Sequence, residues 1–199
     1  MTQKLSKAYL VRHGETAWSL SGQHTGRTDI RLTERGERDG GRLGERLKDS
    51  TFALVLTSPL QRARRTCELT GVAPPAVADP DLREWDYGAY EGLRTAEILQ
   101  KRRGWNLFRD GCPEGETAKQ VGVRADRIIQ RIREASGDVA IFSHGHFLRV
   151  LAARWLGVSP SHGCYFLCSA GSLGIMAYEH NCPEEPVLSL WNDTRHLGH

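Results

Sequence analysis

Three short, unbroken apolar runs constrain this chain more than any other feature. Ala8-Tyr9-Leu10-Val11, Phe52-Ala53-Leu54-Val55-Leu56 and Val139-Ala140-Ile141-Phe142 show no polar alternation. Each is too short for a helix and reads as a strand buried on both faces, the kind found in parallel sheets. Helical patterns lie between them. Thr33 resembles an N-cap, with Leu43 and Leu47 on a later apolar face. Pro59 sits at an expected first helical position, ahead of a helix over residues 60–69. Residues 118–135 carry the stripe Val121, Ala125, Ile128, Ile129 and Ile132, with Arg124, Arg127, Arg131 and Arg133 read as its solvated face. Residues 15–32 and 82–92 read as loops, and residues 172–178 and 186–191 as further strands.

The residues at the strand ends carry the chemistry. The first run stops at Arg12-His13-Gly14 and the third at Ser143-His144-Gly145-His146. The ends of parallel strands are where open α/β sheets place their ligands. Gly14 is expected to let the backbone approach an anion, and Arg12 offers a planar fork of donors suited to phosphate. His13 can attack phosphorus near neutral pH and leave again. Arg62 lies in the first turn of its helix, where anions are favoured, although taken alone Arg62, Arg64 and Arg65 read as a solvated basic face. The aromatic, acidic and glycine-rich stretch 82–92 offers three acids, Glu84, Asp86 and Glu91, and position alone does not choose between them. A metal pair at His144 and His146 lacks an evident third ligand.

Composition sets the remaining bounds. A net charge of +3 is too small to imply nucleic acid but is compatible with small anionic substrates. No apolar stretch is long enough to span a membrane, and the N-terminus lacks the apolar core of a signal peptide. The five cysteines are odd in number and form no C-x-x-C pair, which points to reduced thiols and a cytoplasmic protein. With 199 residues and no linker or repeat, one domain over 1–199 is expected.

The chain resembles the histidine phosphatase superfamily, which includes the cofactor-dependent phosphoglycerate mutases. The resemblance rests on Leu10-Val11-Arg12-His13-Gly14-Glu15-Thr16, Thr25-Gly26, Ser58-Pro59-Leu60-Gln61-Arg62-Ala63, Leu82-Arg83-Glu84 before Tyr87-Gly88, and Ser143-His144-Gly145, all in family order. It implies an α/β three-layer sandwich, a mostly parallel central sheet flanked by helices. It also implies that His13 becomes phosphorylated, that Arg12, Arg62 and His144 hold the phosphoryl oxygens, and that Glu84 is the general acid kept protonated by the adjacent phosphate. Gly145, His24, Thr25 and Gly26 would bind substrate, and His146 and Arg65 the far end of a bisphosphate. No metal or cofactor is implied, because the arginines and His144 do the neutralising. Ser21-Gly22-Gln23, Leu82-Arg83-Glu84-Trp85, Asp110-Gly111-Cys112 and Gly115-Glu116-Thr117 are similar to the fungal sedoheptulose 1,7-bisphosphatases of that family.

The expected reaction is therefore hydrolysis of small phosphorylated sugars, among them sedoheptulose 1,7-bisphosphate. A phosphoglycerate mutase is the alternative. Against it stand the short segment between Glu84 and His144 and Ser19, where mutases usually carry Asn. A protein-phosphohistidine phosphatase and a non-enzymatic module with a dead site are further readings. The partner expected is a small anionic phosphorylated molecule, not nucleic acid or membrane; homo-oligomerisation stays open.

Overall fold

The computed structural model describes residues 5–198. Six strands form one sheet: β1 (Ala8–Arg12), β2 (Leu54–Thr57), β3 (Val77–Ala78), β4 (Val139–Ser143), β5 (Leu173–Tyr178) and β6 (Pro186–Asp193). Their order is β3-β2-β4-β1-β5-β6. The first four run parallel; at one edge β5 pairs antiparallel with β1, and β6 antiparallel with β5. Among the described residues, seven α-helices accompany them: α1 (Ala17–Ser21), α2 (Glu34–Leu47), α3 (Gln61–Thr70), α4 (Thr95–Lys101), α5 (Leu107–Asp110), α6 (Ala118–Glu134) and α7 (Gly145–Trp155). None is long and apolar enough to cross a membrane.

The apolar runs lack alternation because both faces of the sheet are covered. Ala8, Leu10, Leu56, Val139, Ile141 and Met176 pack in one core with α6 and α7. Val11, Val55, Ala140, Phe142 and Leu173 pack in the other with α2 and α3. Successive strand residues point to opposite faces, so each run feeds two cores at once. This is the three-layer α/β arrangement expected, with a mostly parallel sheet.

The helices after β1 and β2 lie on one face, and the helix after β4 lies on the other. Because β4 sits between β2 and β1, the chain diverges there and opens a crevice at the strand ends.

Several local expectations change. Residues 15–32 contain α1, set by a capping box in which Thr16 and Ser19 exchange side-chain and backbone hydrogen bonds. It buries no residue, so it left no apolar stripe to read. Pro59 is not the first helical residue: α3 starts at Gln61 behind Leu60, and Pro59 belongs to the turn before it. Arg124 does not face solvent. Its guanidinium is inserted against the loop that carries Glu84.

Candidate functional site

Strand register builds the site. Arg12 pairs with Ser143 across β1 and β4, and His13 N–H donates to Ser143 O at 3.0 Å. His13 and His144 therefore leave neighbouring parallel strands side by side, their rings 5.2 Å apart. One strand further, Ser58 N–H donates to Phe142 O, which sets the Ser58 hydroxyl beside His144.

The protons on both imidazoles are fixed by their partners. His13 Nδ1 donates to the Gly14 carbonyl at 2.8 Å, which leaves Nε2 with its lone pair. Burial, then the charges of Arg62 and Arg12, hold the His13 pKa well below the ordinary imidazole value, so the ring is neutral. His144 has the opposite tautomer. Its Nδ1 accepts from Arg62 Nε at 3.1 Å, so Nε2 carries the proton and donates to Ser58 Oγ at 2.8 Å. Burial and Arg62 lower its pKa as well.

Arg62 and His144 are both fully buried. The Arg62 guanidinium also donates to Thr28 O, Thr25 O and Gly26 O. The polar atoms of both residues are thus engaged by protein, and the pair backs His13 from behind. Arg12 differs. One guanidinium nitrogen donates to Cys168 O, but its buried Nε has no partner. Gly145 makes room for it, since a Cβ there would lie 3.2 Å from Arg12 Nε.

Glu84 is the acid that faces the cleft. Its carboxylate accepts from the N–H groups of Trp85 (2.9 Å), His146 (3.0 Å) and Phe147 (2.8 Å), the last two at the start of α7. These three donors, two of them at the start of α7, fix the orientation of the carboxylate. Asp86 instead pairs with Arg27, and Glu91 accepts from Gly26 and Thr28 N–H, which removes both from contention.

A cleft of about 270 Å³ opens over these groups, at the small end of ligand sites. Arg12, His13, Glu84 and Gly145 line it, with His24, Thr25 and His146 further along. Tyr87 hydroxyl hydrogen-bonds His146 Nδ1 at 2.5 Å, and the His24 ring stands 4.8 Å from that of Tyr87.

Three expectations are corrected. Gly26 is not at the mouth: it is buried, and a Cβ there would meet Trp85 O at 2.6 Å. Arg65 points away from the cleft and pairs with Glu37 and Glu68. Gly14 is small for packing, not for an anion, since a Cβ would lie 2.5 Å from Gly36 O on α2.

Arg149 was missed in the sequence. It lines the cleft one turn beyond His146, its Nε held by Gly163 O at 2.9 Å and its guanidinium 4.5 Å from the Phe108 ring centroid. The spacing from His146 was the available signal, because residues three apart share a helix face. Ser19 and Cys168 also line the cleft.

A buried neutral histidine, an arginine and one carboxylate lining a single cleft suit phosphoryl transfer. The family model for the histidine phosphatase superfamily (branch 1) matches residues 8–194. The chain belongs to the histidine phosphatase superfamily. Together with its phosphatase relatives, the match supports a phosphoric monoester hydrolase. It is 35% identical to sedoheptulose 1,7-bisphosphatase of Saccharomyces cerevisiae, over 92% of each chain. It is 41% identical to an acid phosphatase of Mycobacterium tuberculosis, over 91% of each. The solved structure of an open reading frame product from Mycobacterium tuberculosis superimposes with a TM-score of 0.88 at 36% identity, covering 94% of this chain and 97% of that one. Probable phosphoglycerate mutases of the superfamily, such as that of Klebsiella pneumoniae, are 33% identical over 76% of this chain and 75% of theirs.

Proposed function

We propose that this histidine phosphatase hydrolyses phosphomonoesters of small sugar phosphates through a phosphohistidine on His13. The observation that carries the reading is the His13 tautomer. With Nδ1 committed to Gly14 O, only Nε2 is left to attack in a cleft that also holds Glu84 and Arg12. Nε2 attacks phosphorus, the P–O ester bond breaks, and Glu84 gives its proton to the departing alkoxide. Water then attacks the phosphohistidine, Glu84 takes a proton back, and the P–N bond breaks to release phosphate.

Arg12, which lines the cleft beside His13, is the first candidate to meet a phosphoryl oxygen. Arg62 and His144 orient the nucleophile. Arg62 spends four of its five N–H groups on His144, Thr28, Thr25 and Gly26, and His144 Nε2 would have to leave Ser58 to reach the phosphoryl group. His24, Thr25 and Gly145 shape the rest of the substrate site. The far end of a doubly anionic substrate falls to His146 and Arg149 rather than Arg65, because Arg149 is the second arginine of the cleft. The likeness to sedoheptulose 1,7-bisphosphatase supports that substrate as the first to try.

The test is phosphate release from a panel of sugar mono- and bisphosphates, sedoheptulose 1,7-bisphosphate and 3-phosphoglycerate included, with His13→Ala as control. His13-dependent release favouring a bisphosphate is the expected result. Conversion of 3-phosphoglycerate to 2-phosphoglycerate without release would make the protein a mutase.

A further inference from the structure

We infer that Arg124 and Glu116 are positioning residues for Glu84, acting through the loop that carries it; the inference rests on Glu84 being the general acid. Arg124 stands on α6, and its side chain is only 13% exposed. Its Nε and Nη2 both meet the Glu116 carboxylate at 2.8 Å, a two-pronged pair. The remaining donors go to backbone. Nη1 donates to Asp81 O at 2.6 Å and Arg83 O at 3.0 Å, and Nη2 reaches Glu84 O at 3.4 Å. One guanidinium thus gathers three carbonyls at or just before the acid.

Glu116 holds the other flank. Its carboxylate accepts from Asp86 N–H at 2.9 Å, and its own N–H donates to Asp86 O at 2.9 Å. Trp85 Nε1–H donates to Glu116 O at 2.9 Å. Glu84 therefore sits between a segment pinned by Arg124 and a segment pinned by Glu116, and the two pins are paired with each other. Arg124 also lies 5.0 Å from the centroid of Phe147, whose N–H grips the Glu84 carboxylate.

A loop of 3-10 turns has no ladder to hold its side chains to fractions of an ångström. General acid catalysis needs that accuracy on the leaving oxygen, and a misplacement of about 1 Å can cost up to about a hundredfold. The clamp supplies the rigidity from α6. A solvated arginine on that helix would do none of this.

The experiment compares a poor leaving group with a good one. Glycerol phosphate needs the proton of the acid, whereas p-nitrophenyl phosphate needs it far less. Arg124→Lys keeps the charge but cannot make the two-pronged pair, and Glu116→Gln keeps the size but loses the ion pair. In either variant, the ratio of kcat for glycerol phosphate to kcat for p-nitrophenyl phosphate is expected to fall about tenfold, with KM changed little. Combined with Glu84→Gln, neither substitution should lower that ratio further. Thermal unfolding monitored by circular dichroism identifies a folded variant on which the ratio can be read.

An unchanged ratio in both folded variants, or equal losses on the two substrates, would overturn the positioning role. If Glu84→Gln itself leaves the ratio unchanged, the acid assignment has failed instead, and the inference falls with it.

Discussion

At the level of single residues, the site depends on which nitrogen of each histidine holds a proton. His13 donates through Nδ1 and is kept neutral by burial and by Arg62 and Arg12. The acid limb of kcat/KM due to His13 should therefore lie below the ordinary imidazole range of about 6.5. Measured with the ionisation of the substrate phosphate accounted for, kcat/KM should show no protein-derived loss between about pH 7 and 6; a limb near 6.5 would show an unshifted nucleophile. Arg149 gives a second expectation. Arg149→Gln should lower kcat/KM for a sugar bisphosphate relative to p-nitrophenyl phosphate by about tenfold, the loss of one charge-assisted contact. Equal effects on both substrates would remove Arg149 from the recognition of a second anionic group.

At the level of elements, β1, β2 and β4 were legible because each is buried on both faces, and α6 because its stripe is unbroken. The short α5 and β3 were not, since four and two residues cannot show a period. His13, Glu84 and Arg12 could be read from motifs at strand ends and in the loop beyond β3. Arg124 could not, because an amphipathic pattern sends every charge to solvent and only the folded 79–86 loop covers this one. Gly14 was recognised as special for the wrong reason. The exit of β1 lies on α2 so closely that Gly14→Ala would set a methyl against Gly36 O. That substitution should destabilise the fold by about 1–3 kcal/mol in urea unfolding, and it should also cut turnover, because the Gly14 carbonyl holds His13. A neutral effect on stability would mean that β1 and α2 can separate without cost.

For the molecule as a whole, collecting histidines in a dry crevice ties stability to pH. His13, His144 and His146 all have pKa values well below the ordinary one, with burial the first cause for each. Below about pH 6.5 the unfolded chain binds protons at these rings that the folded chain refuses, so stability is full above that pH and declines as pH falls. The slope should approach about 1.4 kcal/mol per pH unit for each ring, and His144→Asn should flatten it; a midpoint of thermal unfolding independent of pH from 7 to about 5 would contradict this. Under the proposed mechanism, one ring nitrogen in the same crevice becomes a covalent carrier. The most direct measurement is therefore rapid acid-free quenching of the protein during turnover of phosphate-labelled substrate, followed by peptide mapping. The expected result is an acid-labile, alkali-stable label on the peptide containing His13, absent in His13→Ala. Full turnover with no label on that peptide at any quench time, and turnover persisting in His13→Ala, would contradict covalent catalysis through His13.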